Sequence, residues 1–160
     1  MPMHSPRRSP WPRILLVVFA LFLLIQVVPF GRAHTNPPVQ ATPQWDRPVT
    51  AQLFARACQD CHSNQTTWPW YSNVAPVSWL VQSHVQEGRS KFNINEPGFG
   101  REAHEAAETV EEGKMPDRSY LPLHPEARLT DSEKQQLISG LKATFGESGE
   151  DRKNRDGGED

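Results

Sequence analysis

Residues 58–62 read Cys58-Gln59-Asp60-Cys61-His62 and contain both cysteines of the chain. A loop this tight is no use as a fold-stapling disulfide, so the pair is there for redox chemistry, metal binding or covalent modification. The stretch closes a segment near 49–61 in which Val49, Leu53, Ala57 and Cys58 share one helical face. Outward from it the same 3.6-residue periodicity recurs. Pro76, a good first-turn residue, opens a stripe of Val77, Leu80, Val81, His84 and Val85. Near 100–112, Ala103, Ala106, Ala107 and Val110 fall in step and stop at Gly113. Thr130-Asp131-Ser132-Glu133 reads as a capping box ahead of Leu137, Ile138 and Leu141. Strand-like alternation is absent from the sequence, so the expected fold class is all-α, a small helical domain. Four short helices make a thin core at this length.

The spacing C-x-x-C-H has a chemical reason. Each thiol can add to one vinyl group of a haem, and two intervening residues match the cysteines to the two vinyls. The adjacent histidine is then carried beneath the ring, where it can ligate iron. One covalent haem c on Cys58 and Cys61, with His62 as proximal iron ligand, is the expectation. Burying such a large flat apolar body would also supply much of the missing core, so the apo domain is expected to fold poorly. A thioredoxin-like dithiol matches the spacing but belongs in a βαβ setting, and none is visible. Zinc would need further ligands, and there is no second cysteine pair.

Charge and hydropathy organise the rest. Arg7, Arg8, Arg13 and Arg32 flank the one long apolar run; without them 13 basic residues face 19 acidic ones, a formal −6 over residues 33–160. That balance speaks against a nucleic-acid partner. Residues 1–13 read as a basic cytoplasmic segment. Residues 14–30 (ILLVVFALFLLIQVVPF) are uncharged and read as a transmembrane anchor or a signal h-region. The length favours a single-pass anchor in a bacterial cytoplasmic membrane, with the domain on the outer face; cleavage near Ala33 is the alternative. Residues 31–48 form a proline-rich linker, 49–145 the haem domain, and 146–160 a charged tail expected to be disordered.

The second axial position has several candidates: Met115, His84, His104 and His124, or no protein ligand at all. Met115 lies in Gly113-Lys114-Met115-Pro116, where glycine permits a sharp exit from a helix and proline fixes the backbone beyond. Met115 could equally fill a core gap. His84 competes from the apolar stripe. Trp70 and Tyr71, within Trp68-Pro69-Trp70-Tyr71, suit a haem edge, and a proline carbonyl there could accept the His62 N–H.

Three stretches together resemble the bacterial haem-binding domain family of small monohaem cytochromes c: Gly31-Arg32-Ala33-His34-Thr35-Asn36-Pro37-Pro38-Val39, residues 58–93, and KMPDRSYLPLHPEARLTDSE at 114–133. The resemblance implies covalent haem on Cys58 and Cys61, His62 as proximal ligand, and Met115 as distal ligand. It also favours a retained anchor, because it reaches back to Gly31. There is one departure. After Phe92-Asn93 the family usually continues with serine, an acidic residue and tryptophan, whereas this chain reads Ile94-Asn95-Glu96-Pro97-Gly98.

The expected function is one-electron transfer with redox partner proteins. The sequence shows no nucleophile or general-base constellation, so no enzyme activity of its own is expected. A haem-based sensor, a gas-binding module or a peroxidase-like enzyme would instead need an open or labile distal site.

Overall fold

The computed structural model describes residues 9–146, and all regular structure within them is helical. The α-helices are α1 (Trp11–Ile25), α2 (Pro48–Ala57), α3 (Gln59–His62), α4 (Val77–Lys91), α5 (Ala106–Glu111) and α6 (Asp131–Phe145). Short 3-10 turns cover Trp70–Asn73, Ala103–Glu105 and Pro125–Ala127. The all-α expectation holds. The tail beyond Gly146 lies outside the described residues, as do residues 1–8.

The described residues form two compact units, residues 9–34 with 69–82, and residues 35–68 with 83–146. In the first, α1 ends at Ile25, and the side chain of Gln26 just beyond it bonds to Ala75. Its Nε2 donates to the Ala75 carbonyl at 2.9 Å, and its Oε1 accepts the Ala75 N–H at 3.0 Å. Pro29 follows, so the apolar run 14–30 is not one helix. At ~1.5 Å per residue, the 15 residues of α1 reach about 22 Å, short of a hydrocarbon core of about 30 Å. No helix among the described residues is long and apolar enough to cross a membrane. This overturns the expected single-pass anchor through residues 14–30, and with it the placement on a membrane's outer face.

The second unit holds a core of Leu53, Phe54, Phe92, Ile94, Ala103, Ala107, Val110, Leu137, Ile138 and Leu141. Helix α6 packs on both α2 and α5. Aromatic rings fill the space that so many alanines leave: Phe92 and Phe99 each meet Phe145 edge-on, at 5.1 and 5.3 Å. Burying rings and leucines of this kind contributes about 1.5–3 kcal/mol each. The capping box at α6 is present in full, with Glu133 N–H donating to Thr130 Oγ1 and Thr130 N–H donating to Glu133. Gly113 ends the α5 region at φ +72°, a conformation glycine adopts without cost.

Two local readings change. The proline-rich segment before α2 is extended, yet residues 35–41 are pinned to the unit: Gln40 and Ala41 N–H both donate to the Asn95 carbonyl, at 2.9 and 3.1 Å. Of the expected α4 stripe, Val85 is buried, but Val77 and Leu80 are exposed.

Candidate functional site

Helix α2 gives way at Cys58, whose φ of −131° leaves the helical region, and α3 restarts for a single turn. Cys61 and His62 N–H both donate to the Cys58 carbonyl, at 3.2 and 3.0 Å. Positions i, i+3 and i+4 of one turn share a face, which gathers the two thiols and the imidazole. Both thiols are free and partly buried, and Cys58 packs against the apolar core. Burial pushes the Cys58 thiol up to about 12, with the neighbouring Cys61 adding to the shift. Burial pushes Cys61 to about 11, helped by the charges of Asp60 and Asp117 and opposed by Arg89.

His62 Nδ1 lies 2.9 Å from the Phe92 carbonyl oxygen. A carbonyl can only accept, so Nδ1 carries the proton and Nε2 keeps its lone pair for a metal. Burial lowers the His62 pKa, which favours the neutral, ligating form. The acceptor is thus Phe92 rather than a proline carbonyl of 68–71. Sequence carries no signal for this, because any residue supplies the same carbonyl.

Phe92 opens a segment held by three buried asparagines. Asn64 N–H donates to Asn95 Oδ1 (2.9 Å), Asn93 Nδ2 to Asn64 Oδ1 (2.8 Å), and Asn95 N–H to Asn93 Oδ1 (3.0 Å). In addition, Asn64 Nδ2 donates to the Pro38 carbonyl, Asn95 Nδ2 to the Ala41 carbonyl and Asn93 Nδ2 to Glu96 Oε1. Arg89 ties down the loop after the motif, donating to the Ser63 and Thr35 carbonyls, Asn36 Oδ1 and Thr66 Oγ1 at 2.8–2.9 Å. One residue earlier, Gly88 lets the α4 backbone approach Cys61. A Cβ there would fall 2.5 Å from the Cys61 carbonyl oxygen.

Met115 is partly buried and packs against the same core as Cys58. Its N–H and that of Lys114 share the Thr109 carbonyl, each at 3.0 Å, which anchors the loop to the end of α5. His84 is partly buried on α4; its charge helps to hold the Asp117 carboxyl below its usual range, behind the larger effect of the Ser119 hydroxyl. His104 is exposed beside Glu105. His124 stacks on Tyr120 with ring centres 3.7 Å apart. Cys58, Cys61, His62, Met115 and His84 all belong to the second unit. Trp70 and Tyr71 belong to the first, where their rings meet edge-on at 5.9 Å and Trp70 is 79% exposed.

Two free thiols and a neutral imidazole with an available lone pair, gathered on one turn beside an apolar core, suit a haem. The family comparison agrees in kind: residues 20–143 match the Haem-binding domain family. The chain belongs to that family, and it is a haem-binding protein. Comparison with curated proteins and with solved structures finds no match.

Proposed function

We propose that the haem is a covalent haem c on Cys58 and Cys61, ligated by His62 and Met115, and that the protein is a one-electron carrier for partner redox proteins rather than an enzyme. The observation that carries this reading is the turn Cys58–His62, with two unpaired thiols and His62 Nδ1 committed to the Phe92 carbonyl. A thiol–disulfide role would want a thiol pKa lowered toward neutrality, and both are raised. When bound, the haem supplies the reversible one-electron chemistry of its iron. The chain's residues hold it: His62 is fixed in one tautomer, and the Met115 loop is anchored on Thr109. A haem held by both His62 and Met115 would favour electron transfer over small-molecule chemistry.

Protein made in a host with c-type maturation should keep one haem through acid–organic extraction; haem that extracts freely refutes the covalent attachment. Met115→Ala should abolish the weak near-infrared band of a thioether–iron bond and open ferrous protein to carbon monoxide. If the spectrum stays unchanged in Met115→Ala but changes in His84→Ala, the distal ligand is His84. Rapid carbon monoxide binding by wild type would instead favour a sensor or peroxidase-like protein.

A further inference from the structure

The loop that carries Met115 has a second anchor. Its near end is tied to α5 through the Thr109 carbonyl. Five residues beyond Met115, the Tyr120 hydroxyl donates to Asp60 Oδ2 at 2.7 Å. Asp60 lies inside the attachment motif, between Cys58 and Cys61. It is itself held firmly: Oδ1 accepts the Thr67 N–H at 2.8 Å, and its carbonyl accepts the Thr66 hydroxyl at 2.6 Å. Tyr120 is no freer, because its ring stacks on His124 with the planes 9° apart. Between the anchors the loop closes on itself. Asp117 Oδ1 accepts the Ser119 N–H at 2.7 Å, and Tyr120 N–H donates to the Asp117 carbonyl at 3.1 Å.

We propose that Tyr120, through its hydrogen bond to Asp60, is a positioning residue that straps the Met115 loop to the attachment turn and so sets how readily Met115 leaves iron. The proposal rests on Met115 as distal ligand. One anchor on α5 lets the loop swing about its near end; the second removes that freedom by fixing the far end to the turn that bears His62. The bond has a carboxylate acceptor and is partly buried, which places it among the stronger hydrogen bonds. Its loss should raise the population of loop-open protein by about ten-fold.

The test uses full-length ferrous holoprotein and carbon monoxide at saturating concentration, where the binding rate is limited by departure of the protein ligand. Tyr120→Phe removes one oxygen and keeps the stacked ring. It should raise the limiting rate by about ten-fold while covalent haem content stays at wild type. Asp60→Ala should raise it at least as much, since it also removes the acceptor of the Thr67 N–H, and the double variant should be no faster than Asp60→Ala, because Tyr120→Phe then has no bond left to remove. A rate within about two-fold of wild type in Tyr120→Phe overturns the proposal, since loss of a merely structural bond would move the unfolding midpoint and leave ligand exchange alone. If Tyr120→Phe does not accumulate, Asp60→Asn keeps a polar partner for Thr67 and weakens the charged bond; an unchanged rate there is equally fatal. Met115→Ala separates the two readings. If it leaves the carbon monoxide kinetics unchanged, Met115 is not the ligand. If it removes the limiting step while Tyr120→Phe does nothing, Met115 stands and the strap falls.

Discussion

Gly88→Ala should destabilise the protein, against the usual rule for a helix interior. Replacing an ordinary helical glycine with alanine gains about 0.5–1 kcal/mol, because alanine has less backbone freedom to lose. At Gly88 the new Cβ would fall 2.5 Å from the Cys61 carbonyl oxygen and 3.1 Å from both the Cys61 carbonyl carbon and Cβ. The first distance is far inside contact, and the obstacle is backbone, which cannot rotate away as a long side chain could. Either α4 or the attachment turn must move. Overpacking of this kind costs about 1–3 kcal/mol, so a net loss of up to about 2.5 kcal/mol remains after the propensity gain. The movement also has a chemical consequence. Phe92 N–H donates to the Gly88 carbonyl at 3.0 Å, so the Phe92 carbonyl that orients His62 travels with this end of α4. Urea unfolding of the variant, followed by far-ultraviolet circular dichroism, should show a lower midpoint, and haem incorporation should fall. Gln86→Ala, at an exposed site on the same helix, should change stability by less than about 0.5 kcal/mol. A midpoint that rises in Gly88→Ala by the propensity gain would refute the close approach of α4 to Cys61.

Asn95→Ala removes the acceptor of the buried Asn64 N–H and the donor to the Ala41 carbonyl, and should cost about 1–3 kcal/mol in urea unfolding; it should also shift the midpoint potential, since it loosens the segment that begins at Phe92. Glu133 gives a pH dependence. The Arg56 guanidinium, then the Thr130 backbone N–H and hydroxyl, hold its carboxyl at about 2, so the folded state binds the glutamate proton less readily than the unfolded chain. The resulting stabilisation is complete above the usual glutamate value of 4.5 and is lost as pH falls from there toward about 2. Glu133→Gln should flatten that part of the unfolding-midpoint profile, and a variant that keeps the wild-type slope would show that another carboxylate carries it.

Local signals in the sequence were legible because their partners lie close along the chain. The attachment motif, the Thr130–Glu133 box, the helix after Pro76 and the glycine stop at 113 each need only a few neighbouring residues. What failed depends on distant partners. Residues 14–30 form one apolar run, yet α1 ends at Ile25 and Gln26 bonds to Ala75, 49 positions away. The period of α4 puts Val77, Leu80, Val81, His84 and Val85 on one stripe, but burial along it is uneven, since a helix buries what its neighbours cover and not what its own period offers. Asp60 and Tyr120 lie 60 residues apart, and neither carries a local mark of the other. Within the candidate site, the cysteines and histidine could be found by spacing, while the group that orients the histidine could not.

The segment after Asn93 serves that orienting group in this chain. His62 is gripped twice by main chain: its Nδ1 donates to the Phe92 carbonyl at 2.9 Å, and its own carbonyl accepts the Ile94 N–H at 3.0 Å. Neither bond depends on the side chain at 94, so isoleucine there serves the core without disturbing the grip. The backbone path is another matter, because it must stay fixed for both bonds to persist. Asn93 and Asn95 supply that constraint. Exchanging apolar burial for buried amides gains little net stability, but each amide has a defined direction, and a fully bonded set admits few alternative backbone paths. Asn95 spans the segment, taking the Asn64 N–H from just past the motif and donating to Ala41 in the extended arm. A side chain that cannot do both would leave a buried main-chain group unpaired. Asn93 and Asn95 therefore hold the backbone path that the histidine's two main-chain bonds require.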